Sequence, residues 1–347
     1  MSMKAKILEL LREKKERVAA GAPESEAYVS GQELCEQFGV SRTAVWKAIG
    51  QLKKEGYIIE AVQNRGYRLL DQTEEVYNQA DIQSRLKTDW VGQSLLFFDS
   101  IDSTNIRAKL EAEQGAESGL LVVADMQSAG RGRRGRGWES PAGTNIYYTL
   151  MLKPDFSSDC APMLTLVMAL AVAKGIRQTL RRDSEEAAAK VGIKWPNDIV
   201  VDGKKVCGIL TEMSMEQSYI QHIVIGVGIN VRKQEFPEEI RDRAAAIDEQ
   251  CGFCISRSQL IADIMEAFEE DYEIFLQTHD LKGLRASYAE LLVNQDREVC
   301  VLDPREEYRG IARGINDQGE LLVERQDGTI EEVYAGEVSV RGIYGYV

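Results

Sequence analysis

Residues 29–57, "VSGQELCEQFGVSRTAVWKAIGQLKKEGY", repeat apolar positions at the three-and-four spacing of amphipathic helices. Ser30 reads as the cap of a short helix carrying Leu34 and Phe38, which Gly39 ends. Ser41 caps a second helix with Val45, Ile49 and Leu52 on one face. Two helices around a tight Gly-containing turn predict a helix-turn-helix. "YIIEAVQNRGYRLL" then alternates as two strands around "QNRG", a hairpin with Arg65 at its tip and Arg68 on its second strand. Helix-turn-helix plus hairpin predicts a winged helix over 1–70. The polar run "DQTEEVYNQADI" breaks the pattern and places a linker at 71–78.

Beyond the linker, strand patterns ("SLLFFDSI", "GLLVVADM", "NIYYTLML", "QHIVIGVGIN") mix with amphipathic helices at 161–180 and 258–277. This predicts a mixed α/β domain over 79–295. From Arg297 the pattern shortens to "REVCVLD", "YRGIARGI", "GELLVER", "TIEEVYA" and "EVSVRGI", separated by the hairpin signals "NDQG" and "QDGT". Five short strands in that space predict a small SH3-like β-barrel over 296–347. The fold class is therefore α+β in three parts.

Charge sharpens the picture. Residues 1–70 hold 12 Lys+Arg against 9 Asp+Glu, a net of +3, whereas the rest of the chain is at −17. Within 41–70 the count is 6 basic to 2 acidic. A locally basic winged helix on an acidic body points to nucleic acid as the partner of that part. Ser41, Arg42, Thr43, Trp46 and Lys47 on the second helix and Arg65 on the wing are the candidate DNA contacts, with Lys53 nearby. The competing reading is a helix pair used for protein contact.

The remaining composition excludes more than it selects. The chain has 347 residues, 44% hydrophobic and 28% charged, which reads as an ordinary globular protein of two or three domains. Met1 to Arg17 mixes Lys, Arg and Glu with leucines, unlike a secretory signal, and the apolar run at 161–173 is too short for a bilayer. Six scattered cysteines suggest no disulfide scaffold, so a cytoplasmic protein without a membrane partner is expected. Cys251 and Cys254 have zinc or redox spacing, but the chain lacks a second ligand pair to complete such a site. Neither His222 nor His279 has the Ser, Cys or Asp neighbours of a catalytic triad.

Four motifs bear on chemistry. "DSTN", 102–105, ends a strand and opens a helix, where Ser103 and Thr104 would serve simply as caps. "AGRGRRGRGW", 129–138, interleaves Arg131, Arg133, Arg134 and Arg136 with glycines and is preceded by Gln127. Glycine at that density gives conformational freedom, and arginine brings a fork of donors for carboxylate or phosphate. Flanking core strands favour a mobile anion-gripping loop over a disordered RNA-binding segment. "KWPND", 194–198, sets Lys194 and Asp198 around a rigid turn, and "GVGIN", 226–230, is a Gly-rich strand end. Neither a dinucleotide fingerprint nor a Walker loop accompanies them.

In this order, after a winged helix and before a small β-barrel, the motifs resemble the bifunctional biotin–protein ligases, the biotin-operon repressors of the BirA type. The resemblance covers nearly the whole chain. It implies an ATP-dependent ligase that makes biotinyl-5′-AMP and transfers biotin to a lysine of a biotin carboxyl carrier protein. It also implies binding of operator DNA and a ligand-promoted homodimer. The biotin site it implies is Ser103, Thr104, Asn105, Gln127, Arg131, Gly132, Arg133 and Lys194. For adenylate and ATP it implies Arg131, Arg133, Arg134, Arg136, Trp138, Lys194 and Asn230, with an adenine-covering segment within 231–250. Mg²⁺ is expected with the ATP phosphates; no protein ligand is assigned to it, although Asp198 is a candidate. A ligase without DNA binding and a lipoate-type acyl ligase are the alternatives.

Overall fold

Ile7, Leu8 and Leu11 fall on one face of the first helix, and that face decides where the N-terminal segment goes. The computed structural model describes residues 1–347 except 218, 303–306, 335–338 and 343–347, with the backbone alone for 339–342. Helix α1 (Met3–Ala19), capped by Ser2, joins α2 (Gly31–Phe38) and α3 (Arg42–Lys54) around a core of Ile7, Leu8, Leu11, Leu34, Val45, Ile49 and Leu52. Ser30 and Glu33 form a reciprocal capping box, and Gly39 ends α2 in the left-handed region. Strands β1 (Ile59–Val62) and β2 (Gly66–Leu69) pair antiparallel as the wing. The wing is tied back by the Val29–Tyr67 bridge, where a Cβ on Gly66 would collide with the Val29 backbone.

The first compact unit is Met1–Leu86, longer than the 1–70 expected. Helix α4 (Gln79–Gln83), which the hydrophobic pattern assigns to the central domain, belongs to this unit. The cause is Asp81, 2% exposed, which accepts from Arg12, from Arg85 Nε at 3.2 Å and from the Tyr57 hydroxyl at 3.2 Å. A buried carboxylate without these donors would be costly, so α4 is held where they are. Residues 1–86 carry 13 basic and 13 acidic side chains. Positive charge is therefore a property of α3 and the wing, not of the unit as a whole.

The second unit, Lys87–Val347, is built on a seven-stranded sheet. Its elements run β3 (Leu95–Phe98), α5 (Thr104–Glu113), β4 (Leu120–Ala124), β5 (Ile146–Leu152), α6 (Leu164–Arg181), α7 (Glu185–Ala189), β6 (Val191–Lys194), β7 (Asp198–Val201), β8 (Lys204–Glu216) and β9 (Tyr219–Ile229). Strand order is β3-β4-β5-β9-β8-β7-β6, antiparallel except for β3 beside β4. Helices α8 (Ile247–Cys251), α9 (Arg257–Thr278) and α10 (Arg285–Leu291) follow. α6 packs on α9 so closely that a Cβ on Gly175 would lie 2.8 Å from the Ile264 backbone. With its leading turn, α6 spans Ser158–Arg181, longer than the 161–173 run and apolar enough by composition to cross a membrane. Here 72% of its most apolar window is buried, as in a core helix.

The C-terminal strands β10 (Glu298–Leu302), β11 (Glu307–Ile315), β12 (Leu321–Glu324), β13 (Ile330–Val333) and β14 (Ser339–Gly342) form an antiparallel sheet ordered β13-β12-β11-β10-β14. Val299, Val301, Ala312, Leu321, Val323 and Val333 fill its inner face. The α+β class and its three-part order are those the sequence predicts. Residues 343–347, assigned to the same part, lie outside the described residues.

Candidate active site

The start of α5, the segment after β4, the N-terminal end of β7, and the middle of β8 and β9 enclose a cavity of about 300 Å³. That size suits a small ligand. Ser103, Thr104, Asn105 and Gln127 line it together with Arg131, Gly132, Arg133, Arg134, Arg136, Trp138 and Asn230. With Asn197 and Asp198 of "KWPND", residues drawn from four separate motifs thus line one cavity. Lys194 differs: it sits at the end of β6 opposite Asp198, 6% exposed, and is not among the lining residues.

The polar end is built by hydrogen bonds. Ser103 occupies the N-cap position of α5, yet its hydroxyl makes no capping bond, so the simple capping reading fails for that side chain. Thr104 donates from its backbone N and hydroxyl to Gln127 Oε1, at 2.9 and 3.1 Å, and Gln127 Nε2 donates to Ser140 Oγ at 3.1 Å. The Thr149 hydroxyl lies 2.8 Å from Thr104 Oγ1 and 2.6 Å from Asn105 Oδ1. Asn105 Nδ2 donates to Glu212 Oε2 at 2.7 Å, and Lys109 donates to the other carboxylate oxygen at 2.7 Å. Burial works to raise the Glu212 pKa, but the donors from Asn105 and Lys109 outweigh it and hold the carboxyl below its ordinary value. Thr149 and Glu212 carry no local motif, and the sequence pattern passes over both.

The glycines of "GVGIN" gain a specific reason. A Cβ on Gly226 would collide with the Asn105 carboxamide, and one on Gly228 with the Trp138 indole; on Gly208 it would lie 2.9 Å from that ring. Trp138 therefore lies flat on a glycine platform made by β8 and β9, with Lys205 Nζ 5.6 Å from its ring centroid.

The Arg-Gly loop folds as a short turn across the cavity mouth. Gly132 N donates to Arg136 O at 2.7 Å, Trp138 N donates to Gly130 O at 2.9 Å, and Arg131 bridges to Gly137. Arg134 takes a positive φ of 58°, which is strained for a side chain of that size. Arg133 is half-buried, and its Nη1 donates to Asn197 Oδ1 at 2.6 Å. Burial lowers the Arg133 pKa, Asp198 opposes the shift and Arg134 adds to it. Asp198 itself is paired with Lys205 at 2.5 Å.

Ile240, Arg243 and Ala244 close a further wall. They come from the segment where an adenine cover was expected but no motif matched. The segment returns to the sheet through Lys205 N donating to Arg243 O at 2.7 Å and Ile247 N donating to Asn230 O at 3.0 Å. His222 is 1% exposed, burial pushes its pKa down, and it stands away from the cavity lining. Among the described residues, no group of three His, Cys, Asp or Glu side chains is placed to hold a metal ion.

In the first unit, Thr43, Lys47 and Trp46 are exposed on α3, Trp46 by 68%. Ser41 caps the helix by accepting from Ala44 N at 3.3 Å, and Arg42 Nη2 donates to Gln32 Oε1 at 2.9 Å. Arg65 lies 5.5 Å from the Tyr28 ring centroid at the wing tip. Arg68 lies over the same ring at 5.0 Å and donates to Glu60 at 2.5 Å and also to Glu24.

Fold and site together define an α+β ligase domain with a cationic cavity, attached to a winged helix and a small β domain. Residues 97–230 match the biotin/lipoate A/B protein ligase family, 24–68 an HTH domain, and 296–341 the biotin protein ligase C-terminal domain. The chain is 41% identical to the bifunctional ligase/repressor BirA of Bacillus spizizenii, covering 90% of this chain and 94% of that one. Identity to the Escherichia coli bifunctional ligase/repressor BirA is 33%, over 90% and 92%. A solved biotin protein ligase from Aquifex aeolicus in complex with biotin and ATP superposes with a TM-score of 0.61 at 28% identity, over 72% of this chain and 99% of that one. The chain belongs to the biotin protein ligase family, in its bifunctional ligase/repressor group.

Proposed function

We propose that this protein joins biotin to ATP, giving biotinyl-5′-AMP and pyrophosphate, and then passes the biotinyl group to a lysine of a biotin carboxyl carrier protein. The observation that carries this reading is one cavity with a neutral hydrogen-bonding end (Ser103, Thr104, Asn105, Gln127) and a cationic end (Arg131, Arg133, Arg134, Arg136). A ureido ring needs donors and acceptors together, and the first end supplies them. An apolar dithiolane would offer these groups no hydrogen-bond partner, which disfavours the lipoate-type alternative.

In the first step a biotin carboxylate oxygen bonds to the α-phosphorus as the bond to pyrophosphate breaks. Two unit charges about 4 Å apart repel by roughly 4 kcal/mol at an effective dielectric near 20. That is about three powers of ten in rate. Arg131 and Arg133 are placed to offset it, with Arg134 and Arg136 flanking the phosphates and Trp138, Asn230, Ile240 and Arg243 on the nucleotide side. Lys194 contributes a positive charge from within the wall behind Asp198. Mg²⁺ enters with the ATP phosphates, which supply most of its ligands. In the second step the carrier lysine amine attacks the acyl carbon, AMP leaves and the amine proton is lost.

The same chain represses transcription through the winged helix, with Ser41, Arg42, Thr43, Trp46, Lys47 and Arg65 meeting operator DNA. Local charge on α3 and the wing supports this, and two copies on a two-fold axis would read a palindrome. The adenylate promotes that dimer. Exchange of labelled pyrophosphate into ATP, measured with and without biotin, tests the ligase reading. Biotin-dependent exchange is expected; exchange driven by lipoate and not biotin, or none, overturns it.

A further inference from the structure

Asn197 lies in the turn between β6 and β7, outside every ligand contact proposed above, and its carboxamide meets the Arg-Gly loop across the cavity. Its Oδ1 accepts from Arg133 Nη1 at 2.6 Å. The amide orientation is settled by its other end: Nδ2 donates to Ile209 O and to Asp198 Oδ1, both at 3.2 Å. The backbone is fixed too, because Ile209 N donates to Asn197 O at 3.0 Å. Behind the turn, Trp195, 2% exposed, donates from its indole to Gly319 O in the β11–β12 connection at 3.0 Å. Trp195 N donates to Asn294 Oδ1 at 3.2 Å. The turn is thus held to β8, to the segment before the C-terminal sheet, and to that sheet.

The chemistry of the acceptor matters as much as its position. A carboxylate at this site would hold a guanidinium at least as firmly but would also neutralise it. A neutral amide fixes the direction of the fork without adding a second carboxylate to Asp198, which already acts on Arg133. The neighbouring carboxylate, Asp198, is engaged by Lys205 at 2.5 Å. We propose that Asn197 is a positioning residue for the activation step, aiming Arg133 into the cavity without adding negative charge beside it. This rests on the carboxylate-activating reading above.

Full-length wild type, Asn197→Ala, Asn197→Asp, Arg133→Ala and the Asn197→Ala/Arg133→Ala double variant test it by biotin-dependent pyrophosphate exchange. Asn197→Ala should lower kcat by at least about tenfold, and should cost less than about twofold once Arg133 is already gone. Asn197→Asp, which keeps the shape if the alanine variant folds poorly, should be slow at pH 8. It should stay slow from pH 8 to pH 6, because Arg133, Arg134 and Lys205 outnumber Asp198 around the new carboxyl and keep it ionised. Wild-type rates in Asn197→Ala, an undiminished loss in the Arg133→Ala background, or wild-type rates for Asn197→Asp each overturn the proposal. A wild-type protein without biotin-dependent exchange instead overturns the ligase reading itself.

Discussion

Arg133 and Lys194 are both cations near the reacting centre, but the structure gives them unequal standing. Arg133 lines the cavity, whereas Lys194 is buried in the wall opposite Asp198. Arg133→Ala should therefore remove on the order of 2–4 kcal/mol of transition-state stabilisation. Lys194→Ala should cost adenylation less and stability more, since it truncates a packed side chain only 6% exposed at the end of β6. Pyrophosphate exchange set against thermal melting separates the two, and equal kinetic losses with unchanged melting would contradict this ranking. Glu212 gives a pH prediction. Its folded pKa lies below the unfolded value, so its contribution to stability is present above the ordinary carboxylate range. It is lost as pH falls through the folded pKa, and Glu212→Gln should flatten that acid limb in a melting series.

At the scale of elements, β9 shows how far a local motif can be read. "GVGIN" looks weak in sequence because its glycines serve partners that are distant along the chain: Asn105 for Gly226 and Trp138 for Gly228. Gly226→Ala should push the Asn105 carboxamide out of place and weaken biotin binding by about tenfold or more, with ATP affinity changed far less. Calorimetry with each ligand checks it, and equal losses for both would contradict the assignment. The arginines, "DSTN" and the helix-turn-helix were legible because each is short and self-contained. Thr149 and Glu212 were not, because strand pairing alone brings them to the site; within "KWPND" the pattern singles out Lys194 and Asp198 and passes over Asn197, whose partner Arg133 is distant along the chain. The placement of α4 escaped for a similar reason: Asp81 is one acidic residue in a polar run until Arg12, Tyr57 and Arg85 surround it. Asp81→Ala should strip Arg12, Arg85 and the buried Tyr57 hydroxyl of their acceptor and destabilise the first unit by about 3 kcal/mol, read as an earlier transition in chemical denaturation.

For the whole molecule, a formal charge of −14 sets the problem of binding DNA at all. With residues 1–86 balanced and 6 basic against 2 acidic side chains confined to 41–70, a single copy has little to offer phosphate. Avidity from two copies is the physical remedy, and linkage requires that a ligand favouring the dimer be bound more tightly by it. Biotin plus ATP should raise both the sedimentation coefficient and the affinity for a palindromic operator. Lys47→Ala or Arg65→Ala should each reduce the salt slope of that binding by about 1. Insensitivity of both properties to ligand would leave a ligase whose winged helix is idle.

The most direct test of the account is transfer to carrier: full-length protein, labelled biotin, ATP and an apo-carrier domain, followed by detection of label on the carrier after denaturation. Label should appear on a single carrier lysine, only when biotin and ATP are both present, and should be nearly abolished by Arg133→Ala. Labelling without ATP, undiminished labelling by the Arg133→Ala variant, or no label from wild type would contradict a cavity built to activate biotin's carboxylate.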